Sequence, residues 1–258
     1  MPAEGGWRRP EHQGDDARTT CHERTGSLSV RLPTARWTRS IPGDGDSTKR
    51  TATVPQIRHN VRMPTKKAPP PIYRLKITLI GIEPPIWRVI QVPSSFKLCC
   101  LHSALQVVMG WTDSHLHQFE RDGNNWGIVQ LYEDENDDVV DDGSVTLSDV
   151  LHAEGDSMIY QYDFGDNWRH EVVLEKIIPV NDVVKIPICF GGARRCPPED
   201  VGGVSGYQEF LEVIFDPTHE EYEHLVGWAG GPFHAEEFDV RAVNETLSRM
   251  RWPIRHRR

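Results

Sequence analysis

No stretch of about 18 apolar residues occurs in this chain of 258 residues, so nothing in it reads as a membrane-spanning helix. Arg8 and Arg9 stand near the start without an apolar stretch of about 7–15 residues behind them, which excludes a secretory signal. A transit peptide is excluded by Glu4, Glu11, Asp15, Asp16 and Glu23, too many acids for that class. Cysteine is scarce as well. The five present (Cys21, Cys99, Cys100, Cys189 and Cys196) read as reduced thiols in a non-secreted chain, and the expected location is cytoplasmic. Also missing are G-x-S-x-G, a Walker loop, H-E-x-x-H and a dinucleotide fingerprint. With no complete catalytic template, the sequence leaves open whether the protein is an enzyme.

Charge is unevenly spread. Residues 1–70 hold thirteen Lys/Arg against seven Asp/Glu, a net of +6, so the whole-chain value of −9 leaves −15 for residues 71–258. Arg, Thr, Ser, Gly and Pro dominate the first segment, which has no periodic apolar run. Such a composition cannot bury enough apolar surface to offset chain entropy, so residues 1–71 are expected to be a disordered basic extension. Met63-Pro-Thr-Lys-Lys-Ala-Pro-Pro-Pro also looks like a natural start, which makes an early-called start codon the alternative. The remaining segment, 72–252, is of ordinary size for one domain. Its strong negative charge disfavours direct nucleic-acid binding, which needs Lys/Arg clusters.

Periodicity gives the architecture. Tyr73, Leu75, Ile77 and Leu79 alternate with Arg74, Lys76 and Thr78 as in a half-buried strand, and Trp87–Val92 is its expected hairpin partner beyond Glu83-Pro-Pro. Leu98, Leu101, Leu105 and Val108 fall on one helical stripe, with Ser94 or Ser95 as N-cap and Gly110 as C-cap. Strands are expected over residues 114–121 and 126–131 around Asp122-Gly123-Asn124, then an acidic loop over 133–142 and a short helical turn at 147–151. The clearest hairpin joins 158–164 to 168–178 around Gly165-Asp166. Beyond it the pattern turns helical, with capping boxes at Ser205-x-x-Gln208 and Thr218-x-x-Glu221 and a cap at Asp239. The expected fold class is α+β: a single domain with a mostly antiparallel sheet, one early helix and a helical C-terminal third.

Candidate chemistry gathers in the hairpin and the loop after it. Alternation puts Trp168, His170, Val172 and Leu174 on one face, so His170 is either a core-edge histidine or a ligand oriented by Asp163 or Asp166. On a strand, His115 and His117 project to one face, a metal-binding geometry, although H-x-H is a weak motif and Phe119 shares that face. Cys189 and Cys196 have six residues between them, wider than common zinc spacings; with His170 they form a candidate metal set, or they are two packing thiols. Cys99 and Cys100, adjacent on a helix, read as packing residues. The candidate binding site is therefore His115, His117, Asp163, Asp166, Trp168, His170, Glu199 and Asp200, with a divalent metal as the candidate cofactor.

Five motifs in order carry a resemblance: Tyr73-Arg-Leu-Lys-Ile-Thr-Leu; Pro84-Pro-Ile-Trp-Arg88; Gly110-Trp111 with Ser114-His-Leu-His-Gln-Phe119; Tyr162-Asp-Phe-Gly-Asp with Trp168-x-His170; and Cys196-Pro-Pro-Glu-Asp-x-Gly-Gly with Gly206-Tyr207. Over about residues 72–250 the chain closely resembles the plasmid pRiA4b ORF-3-like family, found on bacterial plasmids and chromosomes, with some members described as passengers of insertion elements. The resemblance implies one α+β domain and no established reaction. Family members often carry a further Cys where this chain has Val201, so a family metal site built on cysteines would here lack one thiolate. The leading expectation is a non-enzymatic binding or accessory domain of mobile-element origin. The alternatives are a metal-dependent, hydrolase-like enzyme using the His/Asp/Cys cluster and a DNA-associated accessory factor.

Overall fold

The computed structural model describes residues 69–129, 139–180 and 187–252. The expectations for residues 1–68 and for most of the acidic loop lie outside these residues. Eight strands form one sheet: β1 (Ile72–Leu79), β2 (Trp87–Pro93), β3 (His117–Arg121), β4 (Asn124–Gly127), β5 (Val139–Asp141), β6 (Ser157–Tyr162), β7 (Trp168–Ile178) and β8 (Ile188–Ala193). Their order is β5-β4-β3-β6-β7-β1-β2-β8, and every neighbouring pair is antiparallel except β4–β5. Five helices complete the described fold: α1 (Leu98–Met109), α2 (Leu147–Val150), α3 (Gly203–Ile214), α4 (Tyr222–Trp228) and α5 (Val240–Arg249). An α+β domain with a mostly antiparallel sheet and a helical C-terminal third is what the periodicity predicts.

Cross-strand register explains the two faces. Ile90, Leu75 and Leu174 lie side by side, as do Phe119, Tyr160 and His170, and His117, Tyr162 and Trp168. All are buried, whereas the opposite face carries Arg74, Lys76, Glu171, Arg169, Gln161 and Glu120. This alternation is the signature of a sheet with one covered face. The covering layer is α1, whose Leu98, Leu101, Leu105 and Val108 join the sheet residues, Phe210 and Leu225 in one core. Leu75, Ile77, Leu101, Leu105, Tyr160, Tyr162, Trp168, Val172, Phe210 and Leu225 are all in it.

The edge strand β8 is protected by a side chain. Asn244 of α5 accepts from Cys189 N at 2.7 Å and donates to Cys189 O at 2.8 Å, replacing a neighbouring strand at that point.

Several local expectations are corrected. Lys97, not Ser94 or Ser95, is the N-cap of α1, because Ser94 is buried in the turn leaving β2 and its backbone bonds to Pro71 and Ser148. Gly110 does close the helix, at φ 89° with its N–H on Gln106 O. Ser205 lies inside α3, which starts at Gly203, so its capping box does not form. Thr218 Oγ1 donates to Asp216 instead of capping α4. Asp239 caps α5 as expected, accepting from Arg241 N and Ala242 N.

Candidate functional site

Three strand termini meet at one end of the sheet: β3 starts at His117, β6 ends at Tyr162 and β7 starts at Trp168. The loops that serve them converge there: residues 110–116 entering β3, residues 163–167 joining β6 to β7, and residues 194–202 joining β8 to α3. Buried bonds fasten the third loop. Arg88, 1% exposed, donates to Val108 O, Trp87 O, Ala193 O, Arg194 O and the Cys196 sulfur, with the Phe238 ring 3.8 Å from its guanidinium carbon. Trp111 Nε1 donates to Pro197 O at 3.1 Å. The first and third loops are tied through Tyr162, whose oxygen accepts from Ser114 N and His115 N while its O–H donates to Glu199 at 2.6 Å. Glu199 also accepts from Thr112 N and Thr112 Oγ1. Burial first, and then Glu199, pushes the Tyr162 phenol well above its ordinary range, so it stays a neutral tie.

The turn after Tyr162 is built by a side chain. Asp163, at φ 57°, accepts from Gly165 N and Asp166 N on Oδ1, an Asx turn that leaves Oδ2 facing the cleft. Left-handed geometry therefore falls on Asp163 and Asn167 rather than on Gly165. Asp166 Oδ2 accepts from Gly202 N at 3.2 Å. Gly203 passes so close that a Cβ there would sit 2.6 Å from Asp166 O. Asp200, at φ 61°, brings its carboxylate to the same place.

His115, Asp163 and Asp200 are thereby brought together, their donor atoms all within 4.8 Å of one another. His115 Nε2 lies 3.1 Å from Asp200 Oδ1 and 3.6 Å from Asp163 Oδ2. That nitrogen is shielded from solvent yet makes no hydrogen bond, so the carboxylate oxygens stand off its bonding axis. Asp166 lies alongside; burial, then Asp163 and Asp200, raise its carboxyl above the usual range. Among the described residues no Lys or Arg pairs with Asp163, Asp166, Glu199 or Asp200. Half-exposed Leu116 and Phe164 flank these residues in sequence.

Other candidates go elsewhere. His115 precedes the strand instead of lying on it, because Ser114 N and His115 N turn inward to Tyr162; the H-x-H pair is split. His117 is buried, its Nε2 2.9 Å from Asp142 Oδ2 and its ring stacked 3.5 Å from that of His102. Asp142, read as part of an acidic loop, is 4% exposed for this reason. His102 in turn reaches Asp113 with Nε2 and Tyr160 with Nδ1, both at 2.8 Å. Gln106 donates to Tyr160 as well. A carboxylate only accepts, so His102 carries its proton on Nε2 and its Nδ1 accepts the Tyr160 O–H.

The candidate metal set of Cys189, Cys196 and His170 is not assembled. The one group of three possible ligands among the described residues is His115, Asp163 and Asp200. Cys196 lies against Arg88 and the Met109 sulfur, and burial pushes its thiol up to about 11. Cys189 bonds Gly191 O, and His170 Nδ1 faces Tyr160 O at 3.2 Å. Arg88 exerts its positive charge on all three, which opposes a dication there. His170 is fully buried against the Trp111 ring, and burial lowers its pKa to about 4. Trp168 is 1% exposed and packs on Trp111. Val201, at the position where the family often has Cys, is a core residue.

Tyr162, Thr112 and Arg88 are parts of this site that reading by residue chemistry missed. Tyr162 and Arg88 stand in two of the recurring motifs, the one signal that pointed to them.

Known proteins match about two thirds of this chain. A protein of Sinorhizobium fredii (strain NBRC 101917 / NGR234), described as uncharacterized protein y4hQ, is 37% identical over 174 residues, covering 67% of this chain and 86% of the relative. The crystal structure of MM3350 from Methanosarcina mazei Go1, a protein of unknown function, is 45% identical with a TM-score of 0.60, covering 66% of this chain and 96% of that one. The family model for the plasmid pRiA4b ORF-3-like protein matches residues 71–242. With its five motifs, its α+β sheet and this match over most of its length, the chain belongs to the plasmid pRiA4b ORF-3-like family.

Proposed function

We propose that this protein is a binding domain, with an accessory rather than catalytic role, and that its ligand site is the three-loop cleft. The ligand class is cationic. One observation carries this reading: Asp163 and Asp200 lie against His115 and Asp166 lies beside those two carboxylates, with no Lys or Arg paired to any of the three among the described residues. Like charges held close raise each other's energy, and a bound cation removes that cost. Tyr162 and Glu199 are committed to one another and to Thr112, so they serve as scaffold. The Cys189 and Cys196 thiols are buried with raised pKa, which withholds the thiolate a cysteine nucleophile needs.

The domain assigned here is 72–252, and its plasmid-named family supports a mobile-element origin. Cys189 and Cys196 are free thiols, which supports a reducing, cytoplasmic location. No described helix is long and apolar enough to cross a membrane. A DNA-associated role is not favoured at this cleft, whose charge has the sign of phosphate.

Thermal-shift measurements on the full chain with spermidine, a lysine-rich peptide and divalent metal chlorides test the reading. At least one of these cations raises Tm, and the double substitution Asp163→Asn with Asp200→Asn abolishes the response. No stabilisation by any of them, or an unchanged response in the double variant, would overturn it.

A further inference from the structure

We propose that His115, Asp163 and Asp200 together hold one divalent transition-metal ion, with Asp166 and the backbone of residues 165–166 and 202–203 orienting the ligands. This rests on reading the cleft as a cation site and goes further by naming the cation.

Geometry comes first. Three donors bound to one ion at about 2.0–2.2 Å stand at most about 4.4 Å apart in pairs, so donor atoms within 4.8 Å need only small side-chain rotations to close on it. Two of the three stand on well-defined backbone: Asp163 in its Asx turn and Asp200 between Glu199, which bonds Thr112, and Gly202, which bonds Asp166. Asp163 is 6% exposed, so its carboxylate is directed into the cleft, with Oδ1 taken by amides and Oδ2 left over.

A second observation separates this group from a mere collection of acids. His115 Nε2 is buried and has no hydrogen-bond partner, although two carboxylates lie within 3.6 Å. An imidazole kept as a partner for carboxylates would point its N–H at one of them, as His117 does to Asp142. A nitrogen that lies within 3.6 Å of two carboxylate oxygens and bonds to neither is placed for a shared third atom. In its neutral form it offers a lone pair, as a metal ligand must.

Donor chemistry selects the ion. One imidazole nitrogen with two carboxylates suits manganese, iron(II) or zinc better than calcium or magnesium, which take oxygen ligands throughout. The Asp166 carboxylate, held by Gly202 N, is the outer acid beside the ligands, and such partners tune affinity. Asp200 is 41% exposed at its side chain, so the site opens to solvent on that side. Three protein ligands leave coordination positions free for water or for a further ligand.

Isothermal titration of the untagged, chelator-treated full chain with MnCl2 and ZnCl2, with spermidine in parallel, tests this. One equivalent of at least one metal binds. Asp200→Asn and His115→Gln each weaken that binding at least tenfold, while Asp122→Asn, an exposed acid in another turn, leaves it unchanged. Circular dichroism establishes that the variants are folded, and Asp200→Asn, at an exposed carboxylate, keeps the test independent of His115. Metal binding that survives both substitutions overturns the inference. Binding of spermidine, lost in Asp200→Asn, without binding of either metal overturns the inference and leaves the wider reading standing. Binding of neither the metals nor spermidine overturns the inference, and failure of the lysine-rich peptide as well overturns the wider reading.

Discussion

His115 and His117 are two residues apart and lead opposite lives. His117 belongs to a polar network with Asp142, His102, Tyr160 and Gln106, all buried, and with Asp113 at its exposed end, in which every polar side chain has a partner and the two rings stack. His115 stands in a cleft where carboxylates gather and its own Nε2 bonds to nothing. A fully satisfied polar network in a low-dielectric core specifies one structure. Unresolved like charges at a loop cluster are costly to the free protein, and that cost is recovered when a ligand arrives. The contrast assigns structure to one histidine and binding to the other.

The largest effect expected on the structural side follows Tyr160→Phe. It leaves buried His102 Nδ1 and Gln106 Nε2 without a partner, each orphaned group costing about 1–3 kcal/mol, so a loss of roughly 2–5 kcal/mol is expected in urea unfolding. Cation-induced stabilisation, measured as a shift in Tm, should survive this change. A variant that loses cation binding instead would merge the two regions.

Acid comes next. Burial lowers the pKa of both His102 and His170, the latter from 6.5 to about 4. Below pH 6.5 the unfolded chain therefore takes up protons that the folded chain refuses, and stability falls as pH drops. For His170 the loss accumulates from pH 6.5 down to about 4 and amounts to roughly 3 kcal/mol. Unfolding free energies at pH 7, 5.5 and 4.5 measure it; His170→Gln should flatten that slope.

Gly203→Ala should cost about 1–3 kcal/mol, since a side chain at φ 68° is strained and its Cβ meets Asp166 O. Moving that backbone also moves Asp166, so cation affinity should weaken along with stability. Smallest of all is Asp200→Asn, within about 0.5 kcal/mol in the free protein and towards greater stability, because it removes one of the crowded charges. Asparagine also tolerates the left-handed backbone at this position. A clear loss of stability here would mean that Asp200 is structural, and the contrast would fail.

Period-two and helical patterns made the sheet, its covered face and α1 legible, because each was written in burial along the chain itself. Leu75, Ile77 and Leu174 needed no partner's position to be recognised as core. Caps at Ser205 and Thr218 were misread because neighbouring loops, not local propensity, decided where α3 and α4 start. In the cleft, the sequence offered His115, Asp163, Asp166, Glu199 and Asp200 as candidates but not their grouping. His115 and Asp200 are far apart in sequence, and the bonds that fasten the third loop, from Arg88 and Trp111 and through Glu199 to Tyr162 and Thr112, join them. The H-x-H pattern failed for the same kind of reason: a tyrosine from another strand draws Ser114 and His115 off the strand line. Buried Arg88 and Asp142 were invisible, since a charged residue is ordinarily read as exposed.

Backbone amide shifts of the isotopically labelled chain, followed by NMR during titration with zinc chloride and then spermidine, test the central contrast most directly. Perturbations should centre on residues 114–116, 163–167 and 199–203, leaving His102, Gln106 and Asp142 unmoved. Shifts centred on the His102–His117 network, or on Cys189 and Cys196, would contradict the assignment of the three-loop cleft as the place where this protein binds.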